Sequence, residues 1–298
     1  MRLPAAPASW VRPILLANLL GEVLIVVTGG IVRLTGSGLG CPTWPECVPG
    51  SLVPVPEQEE GLRKFVEFGN RTLTGLVGIL ALAAVWVVFT RYADRPRMKA
   101  VALGIVGGVV AQALVGGVTV RTGLNPFTVA FHFLMSMVLV ALATALLRGS
   151  QEPQPRADRV LVHPLAGTLA WSTSAVGAAV LVLGTLVTGS GPHSGDARTP
   201  ARTGFDPRFV SWMHADLVML FTGLVVATLV AVRLSGETPR ATRAWVAVLA
   251  VTLVQGLIGY VQYFTRLPEL LVLLHMLGAT LLVVTLTAGV LATRRHPL

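Results

Sequence analysis

The sequence predicts an all-α integral membrane protein with eight transmembrane helices, arranged as two parallel-repeat four-helix bundles. Three observations support this prediction. First, 53% of the 298 residues are apolar and only 12% are charged, whereas a water-soluble domain has about 25% charged residues. Second, the mean hydropathy is +0.73, because the apolar residues form long stretches. Third, polar residues recur in the two halves of the chain. The low fraction of charged residues also excludes a cytosolic globular protein.

Each predicted span is long enough to cross a hydrocarbon core of roughly 30 Å, which takes about 20 apolar residues. The eight stretches lie at residues 12–33, 68–90, 99–120, 127–147, 164–188, 209–232, 242–264 and 269–292. They leave a long loop at 34–67, a medium loop at 189–208 and short turns. The first stretch is longer than a signal-peptide core and lacks a small-residue cleavage site, so we expect it to be retained as a span.

Basic residues predict the orientation of the spans. Most of the 23 Lys and Arg residues lie on one side of the predicted membrane, in five groups: Arg2 and Arg12, Arg91 to Lys99, Arg148 to Arg159, Arg233 to Arg243, and Arg294 with Arg295. Because cytoplasmic loops are enriched in Lys and Arg, we expect a cell-membrane protein with both termini in the cytoplasm. The net charge of +9 does not indicate nucleic-acid binding, since these residues form no single basic face or arm.

The polar residues within the spans repeat at a nearly constant offset. Gln112 and His132 recur 143 residues later as Gln255 and His275. Each half contains four spans, which is an even number, so the two halves have the same orientation. They therefore form a parallel repeat about an axis along the membrane normal.

The repeat also predicts the domain boundaries. We expect an N-terminal four-helix bundle at 1–147, a cytoplasmic connector at 148–163 and a C-terminal four-helix bundle at 164–298. When the second span is aligned with the sixth, Asn70 falls on His214. The two bundles are therefore related in sequence, but they do not carry the same polar residues.

Three of the six histidines, His132, His214 and His275, fall inside spans, five or six residues from the outer end. At 1.5 Å per residue this is roughly 8 Å below the surface. An imidazole in hydrocarbon is costly and is a functional-site candidate by default. His214 and His275 belong to the same bundle, so a heme between them could take one imidazole on each face. The alternative is that these histidines make interhelical hydrogen bonds.

The N-terminal bundle offers a different set of side chains. It has His132 opposite Asn70, and Asn is a poor iron ligand. Glu67 lies one turn before Asn70 on the same helix face, whereas Ser211 has the matching place in the other half. Glu67 could accept a proton, stabilise positive charge in a transition state or interact with the helix dipole. We interpret the contrast as a division between a reactive site and an electron-holding site.

Cys41 and Cys47 lie in the long outer loop. A pair this close in an exported loop is most often a disulfide, and a redox role for it stays open. The loop has no His to complete a zinc site, and the C-x-x-C-H motif of c-type heme is absent. Arg33, Arg71 and Arg121 lie at outer helix ends, where they could pair with heme propionates or extend to the membrane surface.

Together these residues resemble the heme A synthase family, in its bacterial, actinobacterial-like form. The resemblance covers essentially the whole chain, and its most specific segments are Arg33-Leu-Thr-Gly-Ser-Gly-Leu-Gly-Cys41-Pro-Thr-Trp-Pro-Glu-Cys47, Glu67-Phe-Gly-Asn70-Arg71, Phe131-His132, Trp212-Met-His214-Ala-Asp216 and Leu274-His275. It implies an oxidoreductase that converts a methyl group of heme O to the formyl group of heme A by successive hydroxylations. The product would supply cytochrome oxidase.

The resemblance also implies a role for each site residue. These are the heme b ligands His214 and His275, the substrate-heme residues His132 (on the iron), Asn70 and Arg71, the catalytic carboxylate Glu67, and a disulfide between Cys41 and Cys47. The family usually has Glu-x-x-His-Arg on its second helix, whereas this chain has Asn70 in the His position. Its implied partners are heme O synthase, cytochrome oxidase or its assembly factors, a membrane electron acceptor and the lipid bilayer. The sequence leaves a homo-oligomer open.

Two other functions are compatible with parts of the sequence. A membrane b-type cytochrome would pass electrons between quinol and an outer partner, using the same histidines without changing a porphyrin. A transporter would also have an internal repeat, but no span has the Gly/Pro interruption typical of a broken helix at an ion site. Formation of a formyl-heme from heme O would distinguish the synthase from both.

Overall fold

The structure is a computed structural model that describes residues 4–152, 162–196, 198–236 and 239–293. These residues form eight α-helices and no β-strand: α1 (Ala8–Leu34), α2 (Arg63–Arg91), α3 (Pro96–Arg121), α4 (Pro126–Gly149), α5 (Pro164–Ser190), α6 (Pro207–Leu234), α7 (Pro239–Phe264) and α8 (Glu269–Ala292). All of them are long and apolar enough to cross a membrane. For the described residues, the predicted all-α protein with eight spans is confirmed.

Most helices extend a few residues beyond the predicted apolar stretches. Helix α2, for example, begins at Arg63, and its first two turns contain Lys64 and Glu67. Hydropathy alone leaves these polar residues outside the predicted span. Helices α3 to α6 each have Pro in the first turn, where its fixed φ suits the helix and its missing N–H is not needed. Some of the predicted basic residues and most of the connector lie outside the described residues: Arg2, 153–161 and 294–298.

The helices contact one another in two groups of four. Within the first group α1 contacts α2 and α4, and α3 contacts α2 and α4; within the second, α5 contacts α6 and α8, and α7 contacts α6 and α8. Between the groups, α4 contacts α8, α1 contacts α8 and α4 contacts α5. Exchanging each helix with the one four places along the chain leaves this set of contacts unchanged. The parallel repeat and its domain boundaries stay predictions, which the contact pattern supports.

Two apolar clusters hold the groups together. The first is built almost entirely from α1 to α4 and includes Leu15, Ile105 and Val140. The second is built from the described C-terminal half and is centred on Phe221 and Trp245, which are fully buried. Large apolar side chains on the outside of the helices are exposed, as expected where lipid rather than water surrounds the protein.

Two loops close one end of the helix assembly, which we call the loop end. They are residues 35–62, between α1 and α2, and residues 191–206, between α5 and α6. The loops are joined because the Gly38 N–H donates to the Gly195 carbonyl at 2.9 Å, and Ser37 pairs with Asp196 in an isolated bridge. The first loop carries a disulfide between Cys41 and Cys47.

Asp196 organises the second loop. Burial alone would raise the pKa of this carboxyl, but the Thr199 hydroxyl and the N–H groups of Arg198 and Thr199 donate to it and hold its pKa below the ordinary value. The carboxylate is therefore charged at neutral pH and fixes the turn that follows the joint between the two loops.

Candidate functional site

A large cavity lies inside the helix assembly, and we call it the central cavity. Its volume is about 1020 Å³, and side chains from all eight helices line it. This is at the upper end of the range of small-molecule sites, roughly 300–1,000 Å³. The lining residues come from both groups of four helices, so the two predicted bundles share one enclosure.

All three histidines of the spans line the central cavity: His132 on α4, His214 on α6 and His275 on α8. They are the seventh, eighth and seventh residues of their helices, which places them about 9–11 Å from the helix starts at 1.5 Å per residue. His214 and His275 are close enough to interact electrostatically. The structure therefore places all three predicted imidazoles on the wall of one cavity, at similar distances from the starts of their helices.

Two of these histidines, His132 and His275, each accept a hydrogen bond on the backbone carbonyl from a glutamine of the neighbouring helix. The Gln112 side chain donates from Nε2 to the carbonyl of His132 at 3.0 Å, and Gln255 donates to the carbonyl of His275 at 2.8 Å. This contact gives the sequence repeat a physical meaning, because the same side chain fixes the same helix turn in both halves. It is an interhelical bond from α3 to α4 and from α7 to α8.

Glycines leave room for the three imidazole rings. A Cβ on Gly184 would come within 3.3 Å of the His214 ring, and a Cβ on Gly259 would come within 3.6 Å of the His275 ring. In the first half, Gly116 lies against His132 in the same way at 3.5 Å. Each ring is therefore packed against the bare backbone of a neighbouring helix.

The donor set fits a heme held by axial imidazoles. The Nδ1 atoms of His132, His214 and His275 are buried without a hydrogen-bond partner, and imidazole nitrogen is a common axial ligand of heme iron. In the described part of the chain, no group of three or more His, Cys, Asp or Glu side chains could hold a bare metal ion. The chain thus offers a pair of imidazoles in one half and a single imidazole in the other.

Asn70 occupies the boundary between two cavities. It lines the central cavity together with His132, and it also lines a smaller pocket of about 230 Å³ between α1 and α2. The Thr28 hydroxyl donates to Asn70 Oδ1 at 2.7 Å. This bond fixes the amide against α1, so Asn70 presents a short polar group where an imidazole would extend further.

Glu67 lies beside the loop and is not among the residues that line the central cavity. It is 5% exposed. Its Oε1 accepts from Arg71 at 2.6 and 3.0 Å, and its Oε2 accepts from the Cys41 N–H at 2.5 Å. The carboxylate thereby ties the disulfide loop to α2, one turn away from Asn70. Its predicted catalytic role stays a prediction.

The three arginines at the helix ends have different partners. Arg71 donates to Glu67 and to the loop carbonyl of Cys41, and Arg121 donates to the carbonyl of Trp44; both therefore hold the first loop. Arg33 lines the central cavity, donates from Nη2 to a carbonyl of α5 and leaves its buried Nε without a partner. Further arginines near the loop end also line the cavity: Arg202, Arg208 and Arg266. These four cations suit anionic groups such as propionates.

Glu22 is a cavity residue that the sequence prediction missed. It lies in the middle of α1, is 2% exposed, lines the central cavity and has an Oε1 atom without a partner. The available signal was a single acid within an apolar stretch, since ionisable residues inside spans are rare and often functional. Hydropathy averaged over the whole stretch concealed it.

Comparison with known proteins finds relatives named heme A synthase. The chain is 34% identical over 140 residues to the heme A synthase of Shouchella clausii and 32% identical over 163 residues to that of Lysinibacillus sphaericus. These matches cover 45% and 54% of this chain and 45% and 51% of those proteins, so the chain spans about half their length. For the heme A synthase of Bacillus mycoides, the identity is 26% over 268 residues, with 86% of this chain and 85% of that protein covered.

The comparison with protein families covers nearly the whole chain. Residues 12–287 match the family described as cytochrome oxidase assembly protein. This range begins in α1 and ends in α8, so it includes all eight helices and all three cavity histidines. The chain belongs to the cytochrome oxidase assembly protein family.

Proposed function

We propose that this protein is a heme A synthase, an oxidoreductase that converts the methyl group of heme O to the formyl group of heme A for cytochrome oxidase. The observation that carries this proposal is the central cavity, which contains an imidazole pair in one half and a single imidazole in the other. An electron-transfer protein alone would need no second, asymmetric half.

In the C-terminal half, His214 and His275 hold a resident heme b. When bound, this group accepts and passes on electrons one at a time. Gln255 fixes the helix turn of His275 through its carbonyl, and Gly184 and Gly259 leave room for the rings. These contacts fix the helix turn that carries His275 and seat each ring against the backbone of a neighbouring helix.

In the N-terminal half, His132 binds the iron of the substrate, heme O. Asn70 faces the other side and is too weak a ligand to compete for ferric iron, so we infer that the substrate is held by one strong protein ligand. Arg33, the cavity arginine of the N-terminal half, pairs with the propionates at the loop end. The porphyrin therefore lies with the edge that carries its propionates toward the loop end.

The reaction consists of two successive hydroxylations of one methyl group, each of which takes its oxygen from a water molecule and releases two electrons and two protons. The second hydroxylation gives a geminal diol, which loses water to leave the aldehyde. Because the reacting carbon becomes electron-poor, a nearby carboxylate would stabilise positive charge or take up a proton. We assign this role to Glu67, which lies one turn from Asn70; a membrane electron acceptor receives the electrons that the substrate loses.

The cellular setting follows from the same proposal. The chain lies in the cell membrane with both termini in the cytoplasm, so the loop end faces outward. Heme O synthase supplies the substrate, and cytochrome oxidase or its assembly factors take the product. Since the histidines lie about 9–11 Å from the helix starts, we expect both hemes to bind near the outer surface.

Pigment analysis tests the proposed function. We expect a host that makes heme O but no heme A to accumulate heme A when it expresses this chain, as measured by extraction and chromatography of its hemes. His214→Ala and His275→Ala should each abolish conversion and remove the bound heme b spectrum. A purified protein that contains heme b but never yields a formyl-heme would indicate the b-type cytochrome instead.

A further inference from the structure

Glu22 on α1 has no role in the function proposed above. Its side chain is almost completely buried and lines the central cavity, yet its Oε1 has no hydrogen-bond partner. A buried polar atom without a partner is costly, because it has lost its contact with water without gaining a hydrogen bond. Such a cost is typical of a group whose partner arrives with a ligand.

The carboxyl lies at the deep end of the N-terminal half of the cavity. Glu22 is twelve residues before the end of α1 at Leu34, about 18 Å from the loop end, whereas His132 is about 9 Å deep. Other lining residues of the N-terminal half at similar depths on their helices are uncharged: Thr74, Val77, Val109, Ser136 and Leu139. Glu22 is thus the acid among the uncharged side chains of this floor, roughly 9 Å below the level of His132.

The C-terminal half has no carboxyl at the corresponding place. The cavity-lining positions of α1 and α5 have one spacing, with Ile25, Val26, Gly29 and Arg33 on α1 and Val180, Leu181, Gly184 and Thr188 on α5. Continuing this spacing by one turn pairs Glu22 with Gly177. Gly177 lies against Phe221 and Leu286, so that half is closed by apolar side chains where the N-terminal half has an acid.

We propose that Glu22 recognises the hydroxyl group on the prenylated side arm of the substrate heme. This inference rests on the proposed function. Heme O differs from protoheme in one side arm: a hydroxyethyl-linked farnesyl chain, which carries a hydroxyl group, replaces one vinyl group. With the propionates at the loop end, that side of the ring lies toward the cavity floor, where a carboxyl oxygen can accept a hydrogen bond from the hydroxyl.

The difference between the halves agrees with this assignment. The resident heme b has no hydroxyl arm, and its half has glycine where the substrate half has Glu22. A site that hydrogen-bonds a substrate hydroxyl discriminates against an analogue without it, because the buried polar group is then left unpaired. Glu22 is therefore a specificity residue that favours heme O over protoheme.

Comparative binding of two hemes tests this proposal. The purified protein with its resident heme is titrated with heme O and with protoheme, and the ratio of the two Kd values is obtained from the Soret absorbance. We expect Glu22→Leu to reduce the preference for heme O by about five- to tenfold. Glu22→Gln retains an acceptor oxygen and should keep the preference within about twofold.

Asn18 provides a matched control. It lies one turn from Glu22 on the same helix, is 1% exposed and has an unpartnered amide, but it is not among the cavity-lining residues. Asn18→Leu should leave the Kd ratio unchanged. Resident heme content checks folding, and Glu22→Ala replaces the Leu variant if that content falls.

Two results would overturn the inference in different ways. If Glu22→Leu and Glu22→Ala keep the wild-type Kd ratio while the protein still forms heme A, the recognition of the hydroxyl is wrong and the proposed function stands. If the wild-type protein neither binds heme O nor forms heme A, both fail together.

Discussion

Glu67 combines two demands on one side chain. Its two oxygens accept hydrogen bonds from Arg71 and from the backbone of Cys41, so it anchors the disulfide loop. A carboxyl group that already accepts hydrogen bonds on both oxygens is also pre-oriented, and groups fixed before the reaction stabilise developing charge without reorganising. The structural and the proposed catalytic roles are therefore compatible, and they make different predictions for an isosteric change.

We expect Glu67→Gln to lower the rate of heme A formation by about 100-fold or more, since the amide keeps the shape but loses the negative charge. Glu67→Ala should in addition accumulate a hydroxylated heme intermediate. Both are measured by chromatography of extracted hemes. Glu46→Gln is the control, because Glu46 also accepts a bond in the loop, from the Gly50 N–H, but lies outside the proposed site. Wild-type rates in Glu67→Gln would reduce Glu67 to a tether.

Asn70 predicts an unusual coordination of the substrate. With His132 as the one strong ligand, heme O bound to the N-terminal half should be high-spin. Asn70→His adds a second imidazole that faces the same cavity, and should convert the substrate iron to a low-spin, six-coordinate form. Electron paramagnetic resonance of the heme O-loaded protein measures this change, and Asn70→Gln should remain high-spin. A low-spin substrate signal in the wild-type protein would contradict the prediction.

At the scale of helices and loops, α3 supports the first loop through a close contact. The backbone of Gly117 lies directly against the indole of Trp44, and a Cβ at this position would overlap the ring. Arg121, one turn further along α3, donates to the Trp44 carbonyl and stacks over its ring at 5.9 Å. The loop is therefore seated on the end of α3 as well as on α2.

Gly117→Ala should destabilise the protein by about 1–3 kcal/mol, because the added methyl group forces Trp44 out of its seat. Thermal unfolding in detergent gives the overall effect, and limited proteolysis within residues 35–62 reports on the loop itself. Gly107→Ala on the same helix is the control, since a Cβ there meets nothing within 4 Å. Equal effects of the two substitutions would show that the contact between Gly117 and Trp44 does not stabilise the protein.

The helices could be predicted from the sequence far better than the contacts between them. Apolar length alone identifies a span, because every backbone polar group must be satisfied inside the lipid, and the polar Gln112 and His132 stood out against that background. The hydrogen bond that the Cys41 N–H donates to Glu67 could not be predicted, since the two residues are 26 positions apart and joined by an irregular loop. Glu22 was missed because its role depends on which face of α1 meets the cavity.

For the whole molecule, the two groups of four helices enclose a single cavity beneath two joined loops. Lining residues of both groups face this space, and the joint between the loops passes over its end through the Gly38 to Gly195 bond. The joined loops therefore lie at the same end of both halves, and the orientation of the whole assembly decides which side of the membrane that end faces.

Reporter fusions test that orientation. Alkaline phosphatase is active only outside the cytoplasm, so we expect a fusion at residue 298 to be inactive and a fusion within residues 191–206 to be active. The opposite pattern for a green fluorescent protein at the same positions is the control. Active phosphatase at the C-terminus would reverse the orientation, because the basic residues that predict it would then lie outside.

The shared enclosure affects how electrons travel. If the two macrocycles occupy this one cavity, an electron can pass from one to the other by tunnelling, with no diffusing carrier between them. Such a transfer keeps its rate when the membrane changes in fluidity or composition. The transfer between the two hemes would thus depend on the protein alone, and only the later transfer to the membrane electron acceptor would depend on the surroundings.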